Sequence, residues 1–226
     1  MPAHDSRTAI ERFLSSAEPF KRLSADALKR LAGVSREKHY PKGDTIFREG
    51  ERSDAVWMVR TGRVHLMRFL PDGKASTTCV MTPGELFCCL PALDQKAYPT
   101  DAMAAAESTV IRIPTDAFHR AMARSPTFTK ETLCLFCDRL REVEHKSCMV
   151  YEPAEARLAQ ALVGLAKKFG PTIPLTRQEL AEIAGTTHET AIRTLSDFRK
   201  QGLIRSSRGT TTLLDPEKLT ALSRQS

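Results

Sequence analysis

The spacing of apolar residues changes period several times along the chain. Over residues 6–33 it is helical, with Ile10, Phe13 and Leu14 followed by Leu23, Leu28 and Leu31, and Ser24 with Asp26 and Ala27 behind it suits a helix start. From 37 to 113 the texture turns to short β-rich runs, TIF, AVWMVR, RVHLMRFL, STTCVM and TVIRI. Between them sit glycines at 43, 50, 62, 73 and 84. Pro71-Asp72-Gly73 reads as a hairpin turn. A small antiparallel roll or barrel is expected, with helical turns only around 86–95.

Residues 115–124 predict a short helix, and after Ser125-Pro126 a longer one runs to about 149. Leu133, Phe136, Leu140, Val143 and Val150 fall on two seven-residue series, 133/140/147 and 136/143/150, with Ser147 the weak member. Such a seam suits a homodimer coiled coil through 126–150; the alternative is packing on its own domain. Residues 151–170 predict a helix closed by Gly170-Pro171, with Lys167 and Lys168 in its last turn, where the helix dipole favours cations. Two shorter helices follow at 176–184 and 187–200, and then a hairpin turning at Arg208-Gly209. The expected class is α+β. Its parts are an antiparallel β-roll over 1–125, a long central helix over 126–150 and a winged helix-turn-helix over 151–226.

The stretch LTRQELAEIAGTTHETAIRTLSDFRKQGLI (175–204) carries the chemistry. Leu180, Ile183 and Ala184 give its first helix a buried stripe, and Ala181 is small enough for a second helix to cross closely. Gly185 permits the sharp turn. Ala191, Leu195 and Phe198 form the stripe of the second helix, so His188, Glu189, Ile192 and Arg193 point outward near its N-terminus. That end of a recognition helix enters the DNA major groove. Arg193 can donate two hydrogen bonds to guanine, and Glu189 can accept from cytosine N4. Thr176, Thr187 and Thr190 can hold phosphates beside the helix N-terminus. Two structural readings compete: a capping box from Thr186 to Glu189, and a Glu189–Arg193 surface ion pair.

Charge adds modest support. The chain carries a net charge of +7 with a pI near 9.2. Residues 151–226 hold eleven Lys/Arg against eight Asp/Glu, a net of +3, so the basic excess is not confined to one tail. No apolar run is long enough for a membrane span and the first residues lack a signal peptide's apolar stretch, so a soluble, cytoplasmic protein is expected. The cysteines, Cys79, Cys88, Cys89, Cys134, Cys137 and Cys148, read as reduced thiols rather than a disulfide framework. None precedes residue 79, which argues against an N-terminal iron–sulfur cluster. No phosphate-binding glycine loop, metalloprotease helix or nucleophile elbow appears, so an enzyme is not expected.

With 175–204 and the glycine-punctuated stretch YPKGDTIFREGERSDAVWMVRTGRVHLMRFLPDGKASTTCVMTPGELF, the chain resembles the CRP/FNR family of bacterial transcription regulators over about residues 20–215. The resemblance implies a homodimer through the long helix, a sensor roll and a winged helix-turn-helix on palindromic double-stranded DNA. RNA polymerase is a further candidate partner. Glu189 and Arg193 match the family's base-reading pair. His188 stands where many members have another base-contacting residue, often Arg, and Ile192 replaces a small or polar residue and can meet a thymine methyl.

The same resemblance places an effector pocket over 84–105, with Glu85, Leu86, Cys88, Tyr98, Pro99 and Leu133 as its candidate residues. Cyclic-nucleotide-binding members keep Gly-Glu-Leu, here Gly84, Glu85 and Leu86, and end the segment with an Arg that pairs with the cyclic phosphate. Tyr98 holds that place, and the only cation in the segment is Lys96, so cyclic AMP is not expected. One alternative is haem. GELFC resembles the family's haem-containing carbon-monoxide sensors, which implies Cys88 and the Pro2 amine as iron ligands, although Leu90 stands where those sensors have a histidine. A small organic or gaseous effector, or thiol redox chemistry, is the other. Buried structural cysteines and a ligand-binding protein without a DNA role complete the alternatives.

Overall fold

The computed structural model describes residues 3–69, 75–148 and 151–223. The chain divides into two compact units, Met1–Arg68 with Thr78–Leu140 and Phe69–Thr77 with Arg141–Ser226. Two helices open it, α1 (Ala3–Ser16) and α2 (Ala25–Val34), separated by a 3-10 turn at Phe20–Arg22. The apolar spacing over 6–33 is therefore interrupted. Pro19 lies in the break, where its ring fixes φ and removes an amide donor. Ser24 caps α2 by accepting from the Ala27 amide at 3.3 Å.

Eight strands follow: β1 (Arg36–Tyr40), β2 (Thr45–Phe47), β3 (Ala55–Thr61), β4 (Val64–Phe69), β5 (Ala75–Met81), β6 (Leu86–Phe87), β7 (Asp101–Ala104) and β8 (Ser108–Pro114). A short helix, α3 (Cys89–Asp94), links β6 to β7. They build two four-stranded sheets, ordered β1-β8-β3-β6 and β2-β7-β4-β5. The Pro71-Asp72-Gly73 turn lies outside the described residues. β1, REKHY, has no apolar alternation because it is an edge strand, paired only with β8 and mostly exposed.

β3 shows why one run reads as continuously apolar. Val56 and Met58 belong to a buried cluster with Ile10, Leu14, Phe20, Phe118 and Phe128. Ala55, Trp57 and Val59 belong to another, with Phe47, Phe87 and Tyr98. Both faces of the strand are covered, so neither can be polar. Gly62, at φ +83°, makes the turn from β3 to β4, and a Cβ there would collide with the Glu107 carbonyl and Ser108.

Helices α4 (Thr115–Arg124) and α5 (Pro126–Cys148) follow. On α5, Phe128 and Thr132 are fully buried, and Phe136 packs against the same cluster as Phe128. Leu133, Leu140 and Val143 are 51%, 59% and 53% exposed. Phe136 is thus held by its own domain, which corrects its place in the expected seam. Leu133, Cys137 and Leu140, spaced i, i+4, i+7, run along the outward stripe instead. The Ser147 side chain and Val150 lie outside the described residues.

The second unit contains α6 (Ala154–Phe169), β9 (Thr172–Ile173), α7 (Arg177–Ala184), α8 (His188–Lys200), β10 (Ile204–Ser207), β11 (Thr210–Leu213) and α9 (Pro216–Leu222). α6 begins just behind Pro153, three residues later than its periodicity suggests. Its Leu158 and Leu162 are fully buried, as are Leu180 of α7 and Ala191 and Phe198 of α8. β9, too short to show a pattern, pairs with β11 and makes the hairpin a three-stranded sheet ordered β10-β11-β9. Among the described residues no helix is long and apolar enough to cross a membrane.

Candidate nucleic-acid interface and sensor region

Local chemistry fixes the start of α7. The Thr176 hydroxyl accepts from the Glu179 amide at 3.2 Å, and the Glu179 carboxylate accepts from the Thr176 amide at 2.7 Å and its hydroxyl at 2.8 Å. This is a capping box, and it ties both first-turn residues to the helix. α7 ends at Gly185 in the left-handed conformation, φ +60°, with the Thr186 amide donating back to the Ala181 carbonyl at 3.0 Å. Arg157 of α6 donates to the Gly185 carbonyl at 2.8 Å and so pins the turn from a third helix.

α8 is capped by Thr187, not Thr186. Its hydroxyl accepts from the Thr190 amide at 3.2 Å and donates to the Thr190 hydroxyl at 2.9 Å. Glu189 is therefore free of the capping role that a box from Thr186 would have given it. Glu189 and Arg193 are both exposed and make no ion pair with each other among the described residues. His188 is exposed and Ile192 is 37% exposed on the same end of the helix. The three threonines differ. A phosphate offers only acceptors, so a hydroxyl must donate to hold it. The Thr176 hydroxyl donates to Glu179 and the Thr187 hydroxyl to Thr190, whereas Thr190 keeps its own donor.

The surrounding charge is positive. Arg177, Arg193, Arg199, Arg205 and Arg208 are all exposed and without an ion pair among the described residues, whereas Lys200 is matched by Asp197 at 3.1 Å. Arg157 and the Arg177/Arg199 pair escaped the sequence reading. The only local signal was that Arg177 follows the Thr176 cap.

In the roll, the six candidate pocket residues do not share one lining. Cys88 and Tyr98 lie in one buried cluster, Leu86 packs with its strand neighbours in the other sense, and Pro99 and Leu133 are exposed. Tyr98 is 3% exposed, its ring stacks on Phe47 at 3.8 Å, and its hydroxyl accepts from Trp57 Nε1 at 3.0 Å and donates to the Ala55 carbonyl at 3.2 Å. The Glu85 carboxylate accepts from the Thr82 amide at 2.7 Å and hydroxyl at 2.8 Å. Lys96 pairs with Asp94 at 3.1 Å on the surface.

Burial pushes the Cys88 thiol up, with the neighbouring Cys89 a smaller cause in the same direction. Burial likewise pushes Cys89 up to about 12, against the opposing pull of Arg139. Arg139 of α5 donates to the Leu86 carbonyl and lies 3.9 Å from the Met81 sulfur. Leu90 is 62% exposed, and Pro2 lies outside the described residues.

Residues 37–125 match the cyclic nucleotide-binding domain, and residues 156–222 match the Crp-like helix-turn-helix domain. The chain belongs to the CRP/FNR family. It is similar to the CRP-like cAMP-activated global transcriptional regulator of Mycobacterium tuberculosis, 26% identical over 95% of this chain and all of that protein. It is also similar to the cyclic AMP receptor protein of Thermus thermophilus, 28% identical over 84% of this chain and 89% of that one. The solved structure of FixK2 from Bradyrhizobium japonicum shares the fold, with a TM-score of 0.77 at 23% identity over 85% of this chain and 99% of that one. The chain is thus a CRP/FNR-type transcription regulator with a DNA-binding helix-turn-helix.

Proposed function

We propose that the protein is a homodimeric regulator that reads an inverted-repeat DNA site with the head of α8 and responds to an effector other than cyclic AMP. One observation carries the DNA reading: Glu189 and Arg193, one turn apart, are exposed and without an ion pair among the described residues, at the start of a doubly anchored helix. An unpaired guanidinium can spend both donors on guanine, and an unpaired carboxylate can accept from cytosine. His188 and Ile192 flank them, and the Thr190 hydroxyl and the α8 N-terminus are placed for phosphate.

The dimer is assigned to the outward stripe of α5, where Leu133 and Leu140 expose apolar surface that a second copy can bury. In this arrangement residues 1–125 sense, 126–150 pair and 151–226 bind DNA in the cytoplasm, with RNA polymerase as a further partner. The allosteric step is a shift between two dimer arrangements, and Arg139, joining α5 to the Leu86 carbonyl, is one contact that such a shift strains.

Two relatives are named for cyclic AMP, yet the residues here do not fit a cyclic phosphate. Where a cation is needed, a buried tyrosine is already hydrogen-bonded on both sides of its hydroxyl. Haem fits no better. Cys88 is buried within the packed apolar cluster of the roll, and the exposed Leu90 offers no second ligand beside it.

Selection of bound duplexes from a random library tests the proposal. Inverted repeats, carried in complexes of two chains per duplex, are the expected product. Recovery of unrelated sequences contradicts it.

A further inference from the structure

A cleft of about 220 Å³ opens beside α8, lined by Arg177, Ile192, Leu195, Ser196, Arg199 and Ser206. It joins three elements: the first residue of α7, the outward side of α8 from Ile192 to Arg199, and the wing strand β10. We propose that this cleft seats a phosphodiester of the DNA backbone, held by Arg199 and Ser206 together with Arg177, and so sets the register of the base-reading residues. The inference rests on the DNA-binding function proposed above and extends it to a phosphate seat that uses the far half of the recognition helix and the wing.

Three observations support it. First, both guanidiniums on the cleft are exposed and have no ion pair among the described residues. Asp197, the carboxylate two residues before Arg199, is matched by Lys200 at 3.1 Å, so it does not neutralise the cleft. Second, Ser196 and Ser206 line the cleft, and neither side chain has a hydrogen-bond partner among the described residues, so each hydroxyl is free to donate to an acceptor oxygen. Two cations and two hydroxyl donors suit an anion with several acceptor oxygens.

Third, the cleft shares Ile192 with the candidate base-reading set, and Ser196 and Arg199 lie on the same side of α8 at i+4 and i+7 from it. A ligand seated here is therefore continuous with one that occupies the head of the helix. A duplex places its phosphates along the rims of the groove that such a helix enters, whereas a free anion gains nothing from that continuity.

The test uses the full-length protein and two duplexes, one recovered by selection and one of random sequence, in anisotropy titrations over a range of salt. Arg199→Gln and Ser206→Ala are compared with the parent. Losing one phosphate contact per protomer should lower the magnitude of the log K against log salt slope by about 0.9 per copy for Arg199→Gln. Ser206→Ala removes no charge and should weaken binding without altering the slope. Both variants should weaken the two duplexes alike, leaving the ratio between them unchanged.

An unchanged slope for Arg199→Gln overturns the seat, and so does a change confined to the selected duplex, which would make Arg199 a base reader. Titration with inorganic phosphate separates the sources. Saturable binding lost in Arg199→Gln, alongside an unaltered DNA slope, would assign the cleft to a free anion and overturn the proposal. If the parent itself lacks salt-dependent DNA affinity, the DNA function fails as a whole; if only the Arg199→Gln prediction fails, the seat alone is lost.

Discussion

Trp57 Nε1 donates to the Tyr98 hydroxyl at 3.0 Å, in the middle of the apolar cluster that fills the roll. That bond turns a position where the family resemblance leads one to expect a cation into a structural one. The hydroxyl passes its own proton to the Ala55 carbonyl, so β3 is tied twice to the segment that holds Tyr98.

Tyr98→Phe should therefore destabilise the protein although only one oxygen is removed. It leaves the buried Trp57 donor and the Ala55 carbonyl each without this partner, at a cost of about 1–3 kcal/mol. Urea unfolding followed by Trp57 fluorescence measures it. A variant as stable as the parent contradicts the role given to Tyr98.

Cys88 and Cys89 supply a pH prediction with a definite sign. Burial is the main cause of both upward shifts, and Cys89 moves from 9.0 to about 12. A raised folded-state value means that the fold favours the neutral thiol. This contribution is complete below the unfolded value and is lost as pH climbs through the folded one. The urea midpoint should fall between pH 9.0 and about 12, and fall less in Cys89→Ala. In the native protein at mildly alkaline pH, iodoacetamide should reach Cys134, which is exposed and off the stripe assigned to the partner copy, and spare Cys88 and Cys89. Equal labelling of these three contradicts the burial argument.

Leu140 is 59% exposed in the single chain, on the stripe assigned to the partner copy. Leu140→Glu should convert a dimer to a monomer in sedimentation with little loss of monomer stability, because most of the side chain is uncovered in the single chain. A variant that stays dimeric contradicts the assignment to this stripe.

The helix-turn-helix was legible in the sequence because its determinants are local. Apolar stripes at 180/184 and 191/195/198, with Gly185 between them, specify two helices and their turn whatever surrounds them. The cap of α8 was left open, since Thr186 and Thr187 are equally good caps by composition. The choice falls on Thr187, whose hydroxyl reaches the Thr190 amide, and it frees Glu189. The roll was legible from its glycines and short apolar runs, but β1 was not, because an edge strand can be polar. The helical seam failed at Phe136 for a different reason: periodicity reports that a face is apolar, not which partner covers it. Tyr98 is the same problem at one residue. Its neighbours Phe47 and Trp57 are distant in sequence, and only the folded chain brings them to it.

The central claim is that Arg193 reads a base. Equilibrium anisotropy with the selected and the random duplex, comparing the parent with Arg193→Ala, tests it most directly. The account predicts a loss of about 1–3 kcal/mol on the selected duplex, roughly 5- to 150-fold, and a much smaller loss on the random one. Equal losses on both duplexes, or no loss on either, would contradict it.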